Sequence, residues 1–113
     1  MSGTTKYGDS SLYKNSGDNN SAFGHYAAYN NLDASCNTAV GASALYNNTT
    51  APHNTAIGAG AMSNNTTGSL NTAVGSSALE GTSTNVGSIG SKNVAIGAQA
   101  LYNSTGNENT SVG

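Results

Sequence analysis

The sequence lacks most of what a wide globular core requires. It contains no Trp, one Phe, one Pro and one Cys in 113 residues, and only 7% of its residues are charged. With so few large apolar side chains, a thick core is out of reach. The lone Cys36 excludes an intramolecular disulfide.

Charge and hydropathy exclude further classes of function. Three Lys against five acidic residues give a net charge of −2, so no basic stripe is present to neutralise phosphates, and nucleic acid is not an expected partner. No apolar run is long enough to span a bilayer, and we expect no membrane insertion by this chain. The first residues, Met1 to Lys14, lack the apolar segment of a signal peptide. The chain is then either a piece of a larger secreted protein or is exported by another signal.

The sequence is rich instead in Asn, Thr and Gly, and these residues recur in a repeat. A glycine follows a large apolar residue in strings such as Asn37-Thr-Ala-Val-Gly41 and Asn93-Val-Ala-Ile-Gly97, with a weaker copy ending at Gly8. The spacings between these anchor glycines are 16, 17, 17, 17, 22 and 16 residues. The anchors are Gly8, Gly24, Gly41, Gly58, Gly75, Gly97 and Gly113. Residues 1–113 therefore read as a single repeat domain with an insertion at 80–92.

The repeat length indicates the fold class. A unit of 16–17 residues is too short for paired helices and suits one coil of a parallel β-solenoid with two short strands and two turns. β-Branched residues favour the strand, and the anchor glycine permits positive φ or a close approach of neighbouring backbones. Six to seven coils stacked at about 4.8 Å predict a rod about 30 Å long.

Equivalent side chains should stack into ladders along the rod. The predicted apolar core has one ladder from the Ala-Val-Gly strings and a second from the other strand of each coil. The first comprises Phe23, Val40, Ile57, Val74, Ile96 and Val112, and the second Leu12, Leu45, Met62, Leu79 and Leu101. A predicted amide ladder comprises Asn20, Asn37, Asn54, Asn71, Asn93 and Asn109. Adjacent apolar residues such as Ala39 and Val40 face opposite sides of a strand, so one side must meet water or a second chain. So thin a rod favours oligomerisation.

The strings Asn-Thr-Ala-Val-Gly and Asn-Val-Ala-Ile-Gly resemble the head repeats of trimeric autotransporter adhesins, the YadA-like head, and are similar to repeats of phage and giant-virus fibre proteins. The resemblance runs from about Thr4 to Gly113. It implies a left-handed parallel β-roll, a homotrimer, and display on a cell or virion surface, where such heads bind host proteins or other cells. The period here is longer than is usual in those heads, and, since the sequence contains no heptads, we expect no coiled-coil stalk and no anchor barrel after the repeats.

The sequence ends at Gly113, just after a core string, where earlier copies continue into an Ala-Leu segment. This leaves two expectations open. An incomplete, uncapped last coil would invite head-to-tail addition of further chains, or the chain is a fragment cut at this point.

Several residues are candidates for modification or recognition. Sequons mark candidate glycosylation sites at Asn19, Asn47, Asn48, Asn64, Asn65 and Asn103. All but Asn19 recur at one turn of the coil, which we expect to be exposed, although Asn and Thr are also common turn residues. The 80–92 insertion makes Ser83, Asn85, Val86 and Ile89 a candidate recognition loop; the alternative is a tolerated insertion, or a half-coil that uses Val86 and Ile89. Tyr13, Tyr29, Tyr46 and Tyr102 share one repeat position, which either contacts a partner or covers the coil edge.

No arrangement of residues indicates catalysis. His25 and His53 lack ligand partners at metal spacing, the acidic residues are scattered, and no Ser lies in a nucleophile elbow. We therefore expect no enzyme activity, no metal and no cofactor. The leading hypothesis is a structural subunit of an extracellular fibre or filament, an adhesin head or a polymer that assembles with itself through stacked β-coils. A receptor-binding head that recognises a host protein or glycan is the alternative, and an ice-binding solenoid, suggested by the aligned Thr38, Thr55, Thr72 and Thr110, is a minor one.

Overall fold

The computed structural model describes residues 2–81 and 89–113 and contains one parallel β-sheet. Each coil of the chain contributes one strand of three residues, and the strands pair in sequence order. The strands are β1 (Thr5–Tyr7), β2 (Ser21–Phe23), β3 (Thr38–Val40), β4 (Thr55–Ile57), β5 (Thr72–Val74), β6 (Val94–Ile96) and β7 (Thr110–Val112). The chain is a β-solenoid with a repeat of about 17 residues, and its longest dimension is 32 Å. The fold class predicted from the sequence is confirmed.

The register of the sheet aligns equivalent repeat positions. Thr38 pairs with Thr55, Ala39 with Ala56 and Val40 with Ile57, and the other strand pairs follow the same alignment. A side chain therefore lies directly beside its counterpart in the next coil, as a parallel in-register ladder requires.

The anchor glycines hold successive coils together at the end of each strand. Gly41 has φ 127°, and a Cβ built on it would lie 2.7 Å from the carbonyl carbon and oxygen of Gly58. Both predicted roles of this glycine, positive φ and close backbone approach, are confirmed.

The second predicted strand of each coil is wrong. The segments after each anchor glycine, such as 42–47 and 59–64, are tight turns. Leu45 has φ 53° there, and its N–H donates to the carbonyl of Ala61 in the next coil at 2.9 Å, while its own carbonyl accepts from the N–H of Asn48. Hydrogen bonds within the turns and to the next coil pair the backbone N–H and C=O groups on this side, so no strand is needed there.

The interior of the solenoid is filled by alanines from the strands and by larger residues from the turns. Ala39, Ala56 and Ala73 at the strand centres are fully buried. Opposite them the turn residues Leu12, Leu45, Met62 and Leu79 are buried, and Leu101 packs against this core. The predicted second core ladder is therefore confirmed, although turns supply it.

The prediction that the first apolar ladder lies in the core is wrong, because its side chains point outward. Phe23, Ile57 and Ile96 are 42%, 39% and 41% exposed, Val112 is 75% exposed, and Val40 and Val74 are half-buried. Because side chains alternate along a strand, burying the central alanine turns the residues on either side of it outward. The turn side chains already fill the narrow interior, so the strand has room to contribute only a methyl group.

The predicted asparagine ladder is present, but its hydrogen bonds differ from those expected. The Oδ1 atom of Asn37 accepts from the backbone N–H of Asn54 at 2.9 Å, and that of Asn54 accepts from the N–H of Asn71 at 3.0 Å. The Asn54 amide donates to the carbonyl of Gly68 at 2.9 Å. Asn20, Asn37, Asn54, Asn71 and Asn93 are buried, whereas Asn109 is partly exposed. Each amide thus joins the backbones of neighbouring coils.

A second amide ladder was not predicted. Asn31, Asn48 and Asn65 are fully buried, and their Nδ2 atoms donate to the Oδ1 atoms of Asn15, Asn31 and Asn48 at 2.7, 2.9 and 2.8 Å. These residues are 16 or 17 positions apart in the sequence, which matches the repeat, so their spacing could have predicted the second ladder.

Candidate interaction face

The outer surface of the sheet is the candidate interaction face, and we call it the strand face. It consists of the first and third residues of β1–β7, which point away from the alanine interior. One row contains mostly Ser or Thr and the other contains apolar side chains. The first row is Thr5, Ser21, Thr38, Thr55, Thr72, Val94 and Thr110, and the second is Tyr7, Phe23, Val40, Ile57, Val74, Ile96 and Val112.

The strand face carries no charge at any outward position of the seven strands. The apolar row contains some of the most exposed large hydrophobic side chains of the described residues, including Tyr7 at 79%. Single exposed apolar residues are ordinary on protein surfaces, whereas a continuous row of them marks a surface for interaction.

A second surface carries aromatic residues, and we call Tyr13, Tyr26, Tyr29 and Tyr46 the tyrosine cluster. The rings of Tyr13, Tyr29 and Tyr46 stack in series, with centroids 5.2 Å apart at both steps and interplanar angles of 4° and 6°. Tyr26 meets Tyr29 and Tyr46 edge-on at 5.3 and 5.9 Å. Tyr102, at the same repeat position as Tyr13, contacts none of these rings in the part of the chain described.

The electrostatics of the tyrosine cluster follow from this crowding. Desolvation raises the pKa of the Tyr29 phenol, and the nearby Tyr13, Tyr46 and Tyr26 raise it further because a second phenolate would repel the first. The Lys14 Nζ atom lies 5.9 Å from the Tyr29 ring centroid, at the outer limit of a cation–π contact.

The sequons differ in exposure. Asn48 and Asn65 are fully buried in the second amide ladder, so the expectation that they lie exposed for glycosylation is wrong. Asn47 and Asn64 are partly exposed, and Asn19 and Asn103 are exposed. These four side chains remain candidates for modification.

The candidate recognition loop is only partly described. Ser83, Asn85 and Val86 lie outside the described residues. Ile89 is 1% exposed and belongs to the hydrophobic core, so its assignment to a recognition surface is wrong. The interior side chain fits the alternative in which the insertion adds apolar packing to the coil.

Residues 2–81 and 89–113 contain neither a metal-binding cluster nor a membrane-spanning helix. In these residues no group of three or more His, Cys, Asp or Glu side chains is placed to hold a metal ion. The same residues form no helix with the length and apolar character needed to cross a bilayer.

Comparison with known proteins gives no relative for this chain: no family model, no curated protein and no solved structure matches it.

Proposed function

We propose that this chain is a structural subunit of an extracellular fibre and that copies associate side by side through the strand face. The observation that carries the proposal is the continuous, uncharged row of outward apolar side chains on the sheet. Each strand places a Val, Ile, Phe or Tyr on the outer surface, and the strands from β2 to β6 bury only alanine at their centres. Packing against further copies is the simplest physical use of such a surface.

Among small assemblies, a homotrimer best covers the apolar row of the strand face. The face is narrow, since only two outward side chains per strand separate one edge from the other. Three such faces around a common axis enclose their apolar rows completely, and stacked identical coils give each copy the same periodicity along the axis. The resemblance to trimeric adhesin heads supports the same number of chains and a place on a cell or virion surface.

The test is a substitution on the strand face. Ile57→Lys and Val74→Lys together place two charges at outward positions of β4 and β5, where the isolated chain tolerates them because both side chains point away from the core. We expect sedimentation velocity to show dissociation of the assembly into 11.2 kDa chains. Thr50→Lys, at an exposed turn position away from the sheet, is the matched control and should leave the assembly intact. Dissociation by the control, or an unchanged mass for the double variant, argues against the strand face as the interface.

One observation favours ice binding as a second candidate. The position two residues after each of the aligned Thr residues holds Val or Ile, so the array is not Thr-x-Thr. The structure places both residues on the same outer face, as in Thr55 and Ile57, so the face is a regular array of hydroxyl and methyl groups. Measurable thermal hysteresis of a monomeric preparation would support this function, and its absence would leave assembly as the function of the face.

Receptor binding is the alternative function, and the candidate recognition loop alone does not support it. Of its residues that the structure describes, Ile89 is buried. A recognition surface has to be sought on other side chains.

A further inference from the structure

The tyrosine cluster concentrates aromatic residues on one part of the solenoid. Four of the six tyrosines of the chain lie on the first three coils, in ring contact with one another. Tyr13 is 65% exposed and Tyr26 is 37% exposed, and Tyr29 and Tyr46 are partly exposed. The cluster is therefore accessible from solvent.

The fold does not require these aromatic residues, and the repeat itself provides the comparison. The position of Tyr13, Tyr29 and Tyr46 is occupied by Ser63 and Glu80 in later coils. The position of Tyr26 is occupied by Ser10, Ser43, Gly60, Ser77 and Gln99. Coils with Ser, Gly or Glu at these positions keep the same strands and the same inter-coil hydrogen bonds. Coil stacking alone thus does not explain why the tyrosines are grouped.

The arrangement of the rings makes them a preformed surface. Stacking and edge-on contacts fix the rings relative to one another before any ligand arrives, which lowers the entropy lost on binding. Phenol hydroxyls both donate and accept hydrogen bonds. The series of rings repeats at 5.2 Å along the rod, and the outer faces of Tyr13 and Tyr46 have no described ring stacked on them.

We propose that the tyrosine cluster binds a neutral, extended polysaccharide whose pyranose units run along the rod. Such a polymer offers hydroxyl groups and C–H edges to the row of phenol hydroxyls and ring edges, and its sugar-to-sugar spacing of roughly 5 Å is close to the 5.2 Å between the stacked rings. Lys14 and His25 also lie against the cluster, with the His25 ring centroid 4.0 Å from that of Tyr26. The cluster itself offers uncharged hydroxyl groups, which suits an uncharged ligand. The proposal does not depend on how many chains associate, because the strand face takes no part in it.

The test uses the full chain with three hexasaccharide probes. Cellohexaose and chitohexaose are neutral and extended, and maltohexaose contains the glucose units of the first in a curved chain. We expect at least one extended probe to bind and maltohexaose to bind more weakly, measured by calorimetry and by NMR shifts of ¹³C-labelled tyrosine rings.

The decisive variant is Tyr29→Ser, which places the residue of position 63 at the centre of the cluster. We expect about tenfold weaker binding of the extended probe, because the substitution removes the central ring and interrupts the stack. Tyr102→Ser, at the same repeat position but outside the cluster, is the matched control and should bind as the native chain does. If Tyr29→Ser unfolds, Tyr29→Phe keeps the stack, removes one hydroxyl and should still weaken binding.

Three results would overturn the proposal. They are no binding of either extended probe by the native chain, equal losses in the Tyr29 and Tyr102 variants, or equal binding of the extended and curved probes. None of these results bears on the oligomeric state, so a failure here leaves the fibre proposal standing.

Discussion

At the scale of single residues, the anchor glycines set the distance between coils. A Cβ on Gly58 would lie 2.4 Å from the carbonyl oxygen of Gly75, and its φ of 134° is unfavourable for any other residue. Gly60, two residues later, has φ 71°, and the nearest atom to its added Cβ is the Ser77 Oγ at 3.4 Å. The neighbouring glycines therefore differ in what they tolerate.

This difference gives a paired prediction. Gly58→Ala should lower the free energy of unfolding by about 3 kcal/mol or more, since the new methyl meets backbone that cannot move away. Gly60→Ala should cost about 1 kcal/mol, because other coils hold Ser at this position with similar φ. Urea unfolding at one fixed protein concentration measures both. Equal costs would show that close approach of the coils does not restrict the anchor position.

The ionisation of Tyr29 is a second residue-scale prediction. Its pKa is raised above the ordinary 10.0 by desolvation and then by the neighbouring phenols. The folded state therefore favours the neutral phenol, and the stability this contributes is present below the unfolded pKa and lost as pH rises through the folded pKa. NMR titration of the labelled Tyr29 ring should give a midpoint above 10.0, which Tyr13→Ser and Tyr46→Ser together should lower. A midpoint at or below 10.0 in the native chain would contradict the ring geometry.

At the scale of elements, two amide ladders and one series of turns complete each coil. The ladders are cross-connected, since the Asn37 amide donates to the Asn31 Oδ1 at 3.2 Å and the Asn54 amide to the Asn48 Oδ1 at 3.4 Å. In a chain with so little apolar volume, these buried and satisfied amides fix the register of one coil on the next.

Removing one amide tests this role. Asn54→Ala leaves the buried Asn71 N–H without its acceptor and removes one of the two amide donors to the Gly68 carbonyl, and we expect a loss of about 3 kcal/mol. Asn103→Ala removes an exposed asparagine and should cost less than about 0.5 kcal/mol. The melting transitions of the two variants, followed by circular dichroism, provide the comparison. A similar small loss in both would mean that the ladder contributes little.

The elements also show how far the sequence predicts this fold. Repeat spacing predicted the solenoid, the anchor glycines and the first asparagine ladder, because each depends only on equivalent positions lying side by side. The direction of Val40 and Ile57 could not be read from Thr-Ala-Val, since alternation gives two faces and does not say which is inside. The turn leucines determine which face is inside, because they fill the interior. Leu45 reaches the interior through a left-handed backbone conformation, and no glycine at this position signals that conformation in the sequence.

At the scale of the whole molecule, the outward apolar row is the feature that a single chain leaves uncovered. The sequence predicted that one side of each strand meets water or a second chain, and the structure identifies that side as the row containing Val40, Ile57 and Val74. The tyrosine cluster was visible in the sequence only as a shared repeat position. The contribution of Tyr26 was missed, because it lies at a different position in the repeat and meets the others only after folding.

The most direct test of the fibre account is the mass of the unmodified chain in solution. Sedimentation equilibrium at micromolar concentration should give about 34 kDa, three times the 11.2 kDa of one chain, or a larger multiple if the trimers assemble further. A mass of 11.2 kDa that persists at high concentration, with the strand face exposed to solvent, would contradict the account.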